Sequence, residues 1–121
     1  MNLLDKARLC VNIILERKAI EPVLFEVGQL TSIADYFLIA SGKSSRQVQA
    51  IAQHLRTRMK EEGFTLFGIE GEREGHWILL DYGDLIVHLF HQPVREFYDL
   101  EGLWIEAPRV EMDTHVGGGE N

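Results

Sequence analysis

The chain holds one cysteine, Cys10, among its 121 residues, so an internal disulfide is excluded. Cys10 falls among apolar residues of a predicted first helix and is expected to pack as a small hydrophobe. No apolar run is long enough to span a bilayer. The opening MNLLDKARLC interleaves one acid and two bases with its apolar residues, unlike the apolar core of a secretory leader. These features predict a protein of the reducing cytoplasm with no membrane association. Positive charge is scarce: 12 Lys+Arg stand against 19 Asp+Glu, for a formal net charge of -7. That balance excludes a protein whose main task is to neutralise nucleic-acid phosphates, and it favours a basic partner. No internal repeat is visible, and the length is that of one domain.

Catalytic patterns are also incomplete. The stretch FLIASGKSSRQ places Gly42-Lys43-Ser44 between a β-rich run and an amphipathic one, as a phosphate-binding loop would. Such a loop needs a glycine five positions before Gly42, where the backbone must bend around the phosphates, and Phe37 stands there. The plainer expectation is a strand-to-helix turn with a serine cap and Lys43 in solvent. Ser41, Ser44, Ser45 and Cys10 have no histidine at motif spacing, so nucleophilic catalysis has no support. Asp81 and Asp84 are closely spaced at strand ends and could hold Mg²⁺ for nucleotidyl transfer, or they could simply make a polar hairpin tip in which an aspartate bonds nearby backbone N–H groups. His88 and His91, three apart in a strand, point to opposite faces and are a poor pair for one metal ion.

What is present is strong periodicity. Leu4, Ala7, Val11, Ile14 and Leu15 predict an amphipathic helix over residues 3 to 18, ended by Pro22. Val23 to Val27 reads as a strand, and Asp35 to Ala40 as a central strand apolar on both faces. Ser44 or Ser45 caps a helix with the stripe Val48, Ile51, Ala52, Leu55 and Met59, a basic flank of Arg46, Arg56, Arg58 and Lys60, and a stop at Gly63. Strands follow at Thr65 to Ile69, His76 to Asp81 and Asp84 to Phe90, then a helical turn, VREFYDLEGLW. The polar, acidic stretch 107–121, with Gly117-Gly118-Gly119, is predicted to be a disordered tail behind a domain of residues 1–106.

With Tyr82-Gly83 at the tip, the last two strands form a hairpin in which Leu80 opposes Leu85, Leu79 opposes Ile86 and Trp77 opposes His88. One face then carries Ile78, Leu80, Leu85, Val87 and Leu89, a core set. The other carries Trp77, Leu79, Asp81, Asp84, Ile86, His88 and Phe90. That mixture fits a protein-binding patch and equally a second buried face under the C-terminal helix, with Tyr98 and Trp104 either extending or covering it.

Three stretches, ADYFLIASGKSSRQVQAIA, EGEREGHWILLDYGDLIVHLFH and VREFYDLEGLW, together resemble the ribosomal silencing factor family, RsfS or Iojap-related. The resemblance runs in order through residues 3 to 105; Gly102 stands where a basic residue is common. It implies a single α/β domain, a mixed sheet with packed helices, related in fold to nucleotidyltransferases but without their catalytic motifs. It further implies a non-enzymatic role without cofactor or metal. Members are described as binding the large ribosomal subunit through the small β-barrel ribosomal protein numbered fourteen, blocking subunit joining and repressing translation. Carried onto this chain, the partner-facing residues are Trp77 and Tyr98, with Leu79, Asp81, His88 and Glu101 beside them. A basic ribosomal protein suits acidic side chains around an aromatic anchor. In the free protein, an exposed Trp77 patch would invite a masking homodimer. Two other readings stand beside this one: a metal-dependent nucleotidyltransferase using Asp81 and Asp84, which lacks the family's glycine-serine turn and alternating acids, and an RNA binder using the basic flank, which lacks interleaved aromatics.

Overall fold

Asn2 starts the first helix, its side-chain oxygen accepting the Asp5 backbone N–H at 2.8 Å. The apolar stripe behind it forms α1 (Leu3–Leu15) in a computed structural model that describes residues 2–111. The helix stops short of the predicted residue 18, and Pro22 is not the cause. Lys18 takes a left-handed φ of 63°, and the Ala19 N–H turns back to the Ile14 carbonyl at 3.1 Å, which closes the helix in the manner of a left-handed cap. Pro22 lies instead within β1 (Ile20–Glu26), where pairing to the next strand slips between Ile20 and Val23. A bulge is a place where the missing proline N–H costs no ladder bond.

Strand β2 (Tyr36–Gly42) is buried from Phe37 onward, as its two-faced apolar pattern requires. Ser44 then caps α2 (Ser45–Glu61), its hydroxyl accepting the Gln47 N–H at 3.1 Å. The predicted stripe of α2 is the buried one, and Gly63, at φ 88°, follows its end. Strand β3 (Gly68–Glu70) is shorter than expected. Its partner β4 (Trp77–Asp81) ends at Asp81, opposite Gly68, so residues 65 and 66 have no strand beside them. Strand β5 (Leu85–His91) and the short helices α3 (Gln92–Tyr98) and α4 (Leu100–Leu103) complete the fold.

The strands form one mixed sheet in the order β1-β2-β5-β4-β3, with β2 and β5 parallel and every other pair antiparallel. The hairpin register differs by two from the sequence expectation: Leu80 faces Val87, Leu79 faces His88 and Trp77 faces Phe90. Tyr82 N–H bonds the Leu85 carbonyl at 2.9 Å, which moves the tip one residue on, to Gly83-Asp84. A slip of two keeps every side chain on its expected face.

Helices α1 and α2 cover one side of the sheet, burying Ile78, Leu80, Leu85, Val87 and Leu89 with Ile14, Ile51 and Leu55. The other side buries Phe25, Phe37, Ile39, Ile86 and Phe90, roofed by Val94, Leu100 and Trp104. Residues 107–110 do not behave as the expected tail. Ala107 is buried, the Glu26 N–H bonds the Pro108 carbonyl at 2.8 Å, Arg109 bridges Phe25, and the Val110 N–H bonds the Leu24 carbonyl at 2.8 Å. With Ala107 packed into one core and Val110 against the other, this segment lines the open edge of β1 and satisfies its backbone groups. The rest of the predicted tail, residues 112–121, lies outside the described residues. Among the described residues no helix is long and apolar enough to cross a membrane.

Candidate protein-binding site

The second face of the β4–β5 hairpin is both of the things its pattern allowed. Its inner part is roofed by α3, α4 and Trp104; its outer end, at the start of β4, is open. Trp77 stands at that end, half-buried, between the Phe90 ring at 4.8 Å and the Tyr98 ring at 5.2 Å. Tyr98, the last residue of α3, is 55% exposed. Phe97 packs edge-on against it at 5.0 Å and is itself 80% exposed. Farther along the same segment Leu103 and Ile105 are 75% and 72% exposed. These three apolar residues escaped the sequence reading. The available signal was the adjacent pair Phe97-Tyr98: neighbours on a helix point about 100° apart, so a seven-residue helix cannot bury both.

The remaining site residues divide. Leu79 lies half-buried on the same face as Trp77, beside the patch. Asp81 is partly exposed, but its Oδ1 accepts the Gly83 N–H at 2.7 Å and so builds the hairpin tip. His88, expected on the open patch, is only 5% exposed. It sits in a central strand between Ile39 and Leu79, and its Nδ1 accepts the Trp77 indole N–H at 3.1 Å. Burial pushes its imidazole down to about 4, so the ring is neutral at physiological pH.

Glu101, also expected to face a partner, is turned inward. Its carboxylate accepts from Arg95 Nε at 2.9 Å and from the terminal nitrogen at 3.2 Å, and this pairing holds the Glu101 carboxyl below its usual range. The same buried guanidinium donates to Ser41 Oγ at 2.8 Å and to the carbonyls of Ile20 and Glu21 in the β1 bulge. Arg95 therefore fastens α3 and α4 to the sheet and fixes the platform that carries Phe97 and Tyr98. Sequence inspection gave no hint of this, because the partners come from three separate segments, β1, β2 and α4.

The features behind the other readings are engaged in structural work. At the SGKSS turn the Lys43 N–H, which a phosphate would need, is taken by Gln47 Oε1 at 2.5 Å. Asp84 is exposed at the tip while Asp81 is tied to Gly83. Among the described residues no group of three or more His, Cys, Asp or Glu is placed to hold a metal ion. In the basic flank, Arg56 pairs with Glu72 at 2.7 Å and Arg58 with Glu16 at 2.7 Å, which neutralises half of it. A concavity of about 510 Å³ lies between α2 and Phe64-Thr65-Leu66 on the opposite side of the sheet from Trp77. A protein-binding patch needs no such cavity, since its anchors protrude.

The sequence matches the family model described as "Ribosomal silencing factor during starvation", RsfS, over residues 1–120. It is 42% identical over 106 residues to a ribosomal silencing factor RsfS of Halalkalibacterium halodurans, covering 88% of this chain and 91% of that protein. A mouse protein, mitochondrial assembly of ribosomal large subunit protein 1, is 30% identical over 97 residues, covering 78% of this chain and 42% of the relative. A crystal structure of a protein from Chromobacterium violaceum superposes with a TM-score of 0.85 at 31% identity, covering 94% of each chain. With matches of this extent in both sequence and fold, the chain belongs to the RsfS family of ribosomal silencing factors.

Proposed function

We propose that this protein binds the large ribosomal subunit through the Trp77–Tyr98 patch and represses translation by occupying space that the small subunit needs. The partner on the subunit is a basic ribosomal protein, the small β-barrel protein numbered fourteen, and the action takes place in the cytoplasm. The observation that carries the reading is the open aromatic pair itself: a half-buried Trp77 backed by Phe90 and flanked by the exposed Tyr98 and Phe97. Large aromatics on a rigid backing are the usual energetic centres of protein interfaces. Leu79 and Asp81 form the margin of the patch, His88 and Glu101 support it from beneath, and Leu103 and Ile105 extend it. The net charge of -7 favours a basic partner and discourages binding to bare rRNA. Silencing of this kind is steric and needs no catalytic step, cofactor or metal. In the free protein the same apolar residues favour a homodimer that hides them.

Sedimentation of the protein with purified large and small subunits tests the reading, together with a subunit-joining assay. Co-sedimentation with the large subunit and inhibition of joining are expected. Binding to the small subunit alone would overturn it.

A further inference from the structure

We propose that His88 is a positioning residue for the binding patch: its imidazole fixes the orientation in which Trp77 is presented to the partner. This rests on the patch reading above and extends it to a residue that meets no partner itself.

An indole N–H can only donate, and the Trp77 indole donates to His88 Nδ1 at 3.1 Å. Nδ1 must then be bare, so the proton of the neutral ring resides on Nε2. That second nitrogen is buried and has no hydrogen-bond partner among the described residues. Its surroundings are apolar and aromatic: the Phe37 ring lies edge-on at 5.1 Å, the Phe90 ring is stacked at 6.4 Å, and Ile39 and Leu79 are the neighbours across β2 and β4. A leucine there would leave no orphaned donor, so histidine is a poor choice for stability alone.

What His88 supplies is one directional bond to one side chain, and that side chain is the half-exposed Trp77. Without the bond, no other polar group among the described residues holds the indole against rotation about its side-chain torsions on the open side. Tyr98, whose ring leans on Trp77 at 5.2 Å, would lose a fixed neighbour as well. Loss of preorganisation weakens binding while every contact atom remains.

The experiment compares His88→Leu, which removes the acceptor, with His88→Asn, whose Oδ1 takes the place of Nδ1. Protein labelled with ¹⁵N at its two tryptophans, Trp77 and Trp104, reports exchange of the indole protons, with Trp77→Phe assigning the signals. Expected in His88→Leu are an unchanged or higher melting temperature, rapid exchange of the Trp77 indole proton, and roughly fivefold or greater loss of large-subunit affinity. Expected in His88→Asn are a protected indole and parent-like binding. If His88→Leu does not fold, the Asn variant decides, because a protected indole with weak binding overturns the proposal. Parent-like binding by His88→Leu beside weak binding by Trp77→Ala overturns this proposal alone. Parent-like binding by Trp77→Ala overturns the patch reading and this proposal with it.

Discussion

The rings of Trp77 and Tyr98 lie 5.2 Å apart at 46°, joining the first residue of β4 to the last residue of α3. Neither element alone presents a binding surface. Their contact makes a continuous aromatic ridge, and its two halves are anchored differently: Trp77 on the sheet, Tyr98 on a helix held down by Arg95.

If that ridge is the interface, Tyr98→Ala should weaken large-subunit binding by about 2 kcal/mol, roughly thirtyfold, and leave the melting temperature almost unmoved. Trp77→Ala should lose as much binding and also about 1–2 kcal/mol of stability, because part of its ring is buried against Phe90. Melting curves and subunit-joining assays on both variants check this. Two stable variants that block joining as well as the parent would refute the assignment.

Arg95→Ala should be the more damaging change for the fold, since it strands the Glu101 carboxylate and removes the donors to Ser41, Ile20 and Glu21 together. A loss of about 3–5 kcal/mol in denaturant unfolding is expected. Glu101→Ala should behave in the same direction and so lose binding through the platform. An Arg95→Ala protein as stable as the parent would mean that α3 and α4 are held by apolar contacts alone.

The buried His88 ring sets an acid limit. Its folded pKa of about 4 lies below the unfolded value of about 6.5, so the cost of keeping the ring unprotonated is absent above pH 6.5, and it grows, lowering stability, as pH falls toward 4. In total it amounts to roughly 3 kcal/mol. The pH dependence of unfolding of the parent, minus that of His88→Leu, isolates the effect. A difference that stays flat between pH 7 and about 4 would show that the ring is not held neutral by burial.

Cutting the chain after Glu111 keeps the Pro108 and Val110 backbone bonds to β1, so its melting temperature should match the parent's. Cutting after Glu106 strips Ala107, the Pro108 and Val110 bonds and the Arg109 contact with Phe25, and should lower stability by about 2 kcal/mol. Equal melting by both truncated chains would show that the edge segment contributes nothing.

The one-dimensional sequence determined the parts whose causes are local. Side-chain period fixes which residues of α2 and of the hairpin face the core, a serine three places before Gln47 fixes a helix start, and an incomplete glycine pattern marks the SGKSS turn as a cap. Even the hairpin tip, misplaced by one residue, left the two faces correctly sorted, because a slip of two preserves the alternation of a strand. The docking of residues 107–110 was not legible, since it depends on what a distant strand edge leaves unpaired, and the left-handed turn at Lys18, though local, carries no glycine to mark it. The same holds at the site. Sequence could place Trp77, His88 and Phe90 on one face, but only the roof formed by α3, α4 and Trp104 decided that Phe90 and His88 go under cover while Trp77 stays half open. Glu101 shows the reason most plainly: its direction is set by Arg95, whose own is set by the carbonyls of a bulge some seventy positions earlier in the chain. Burial and pairing are properties of neighbours in space, and a chain acquires those only when it folds.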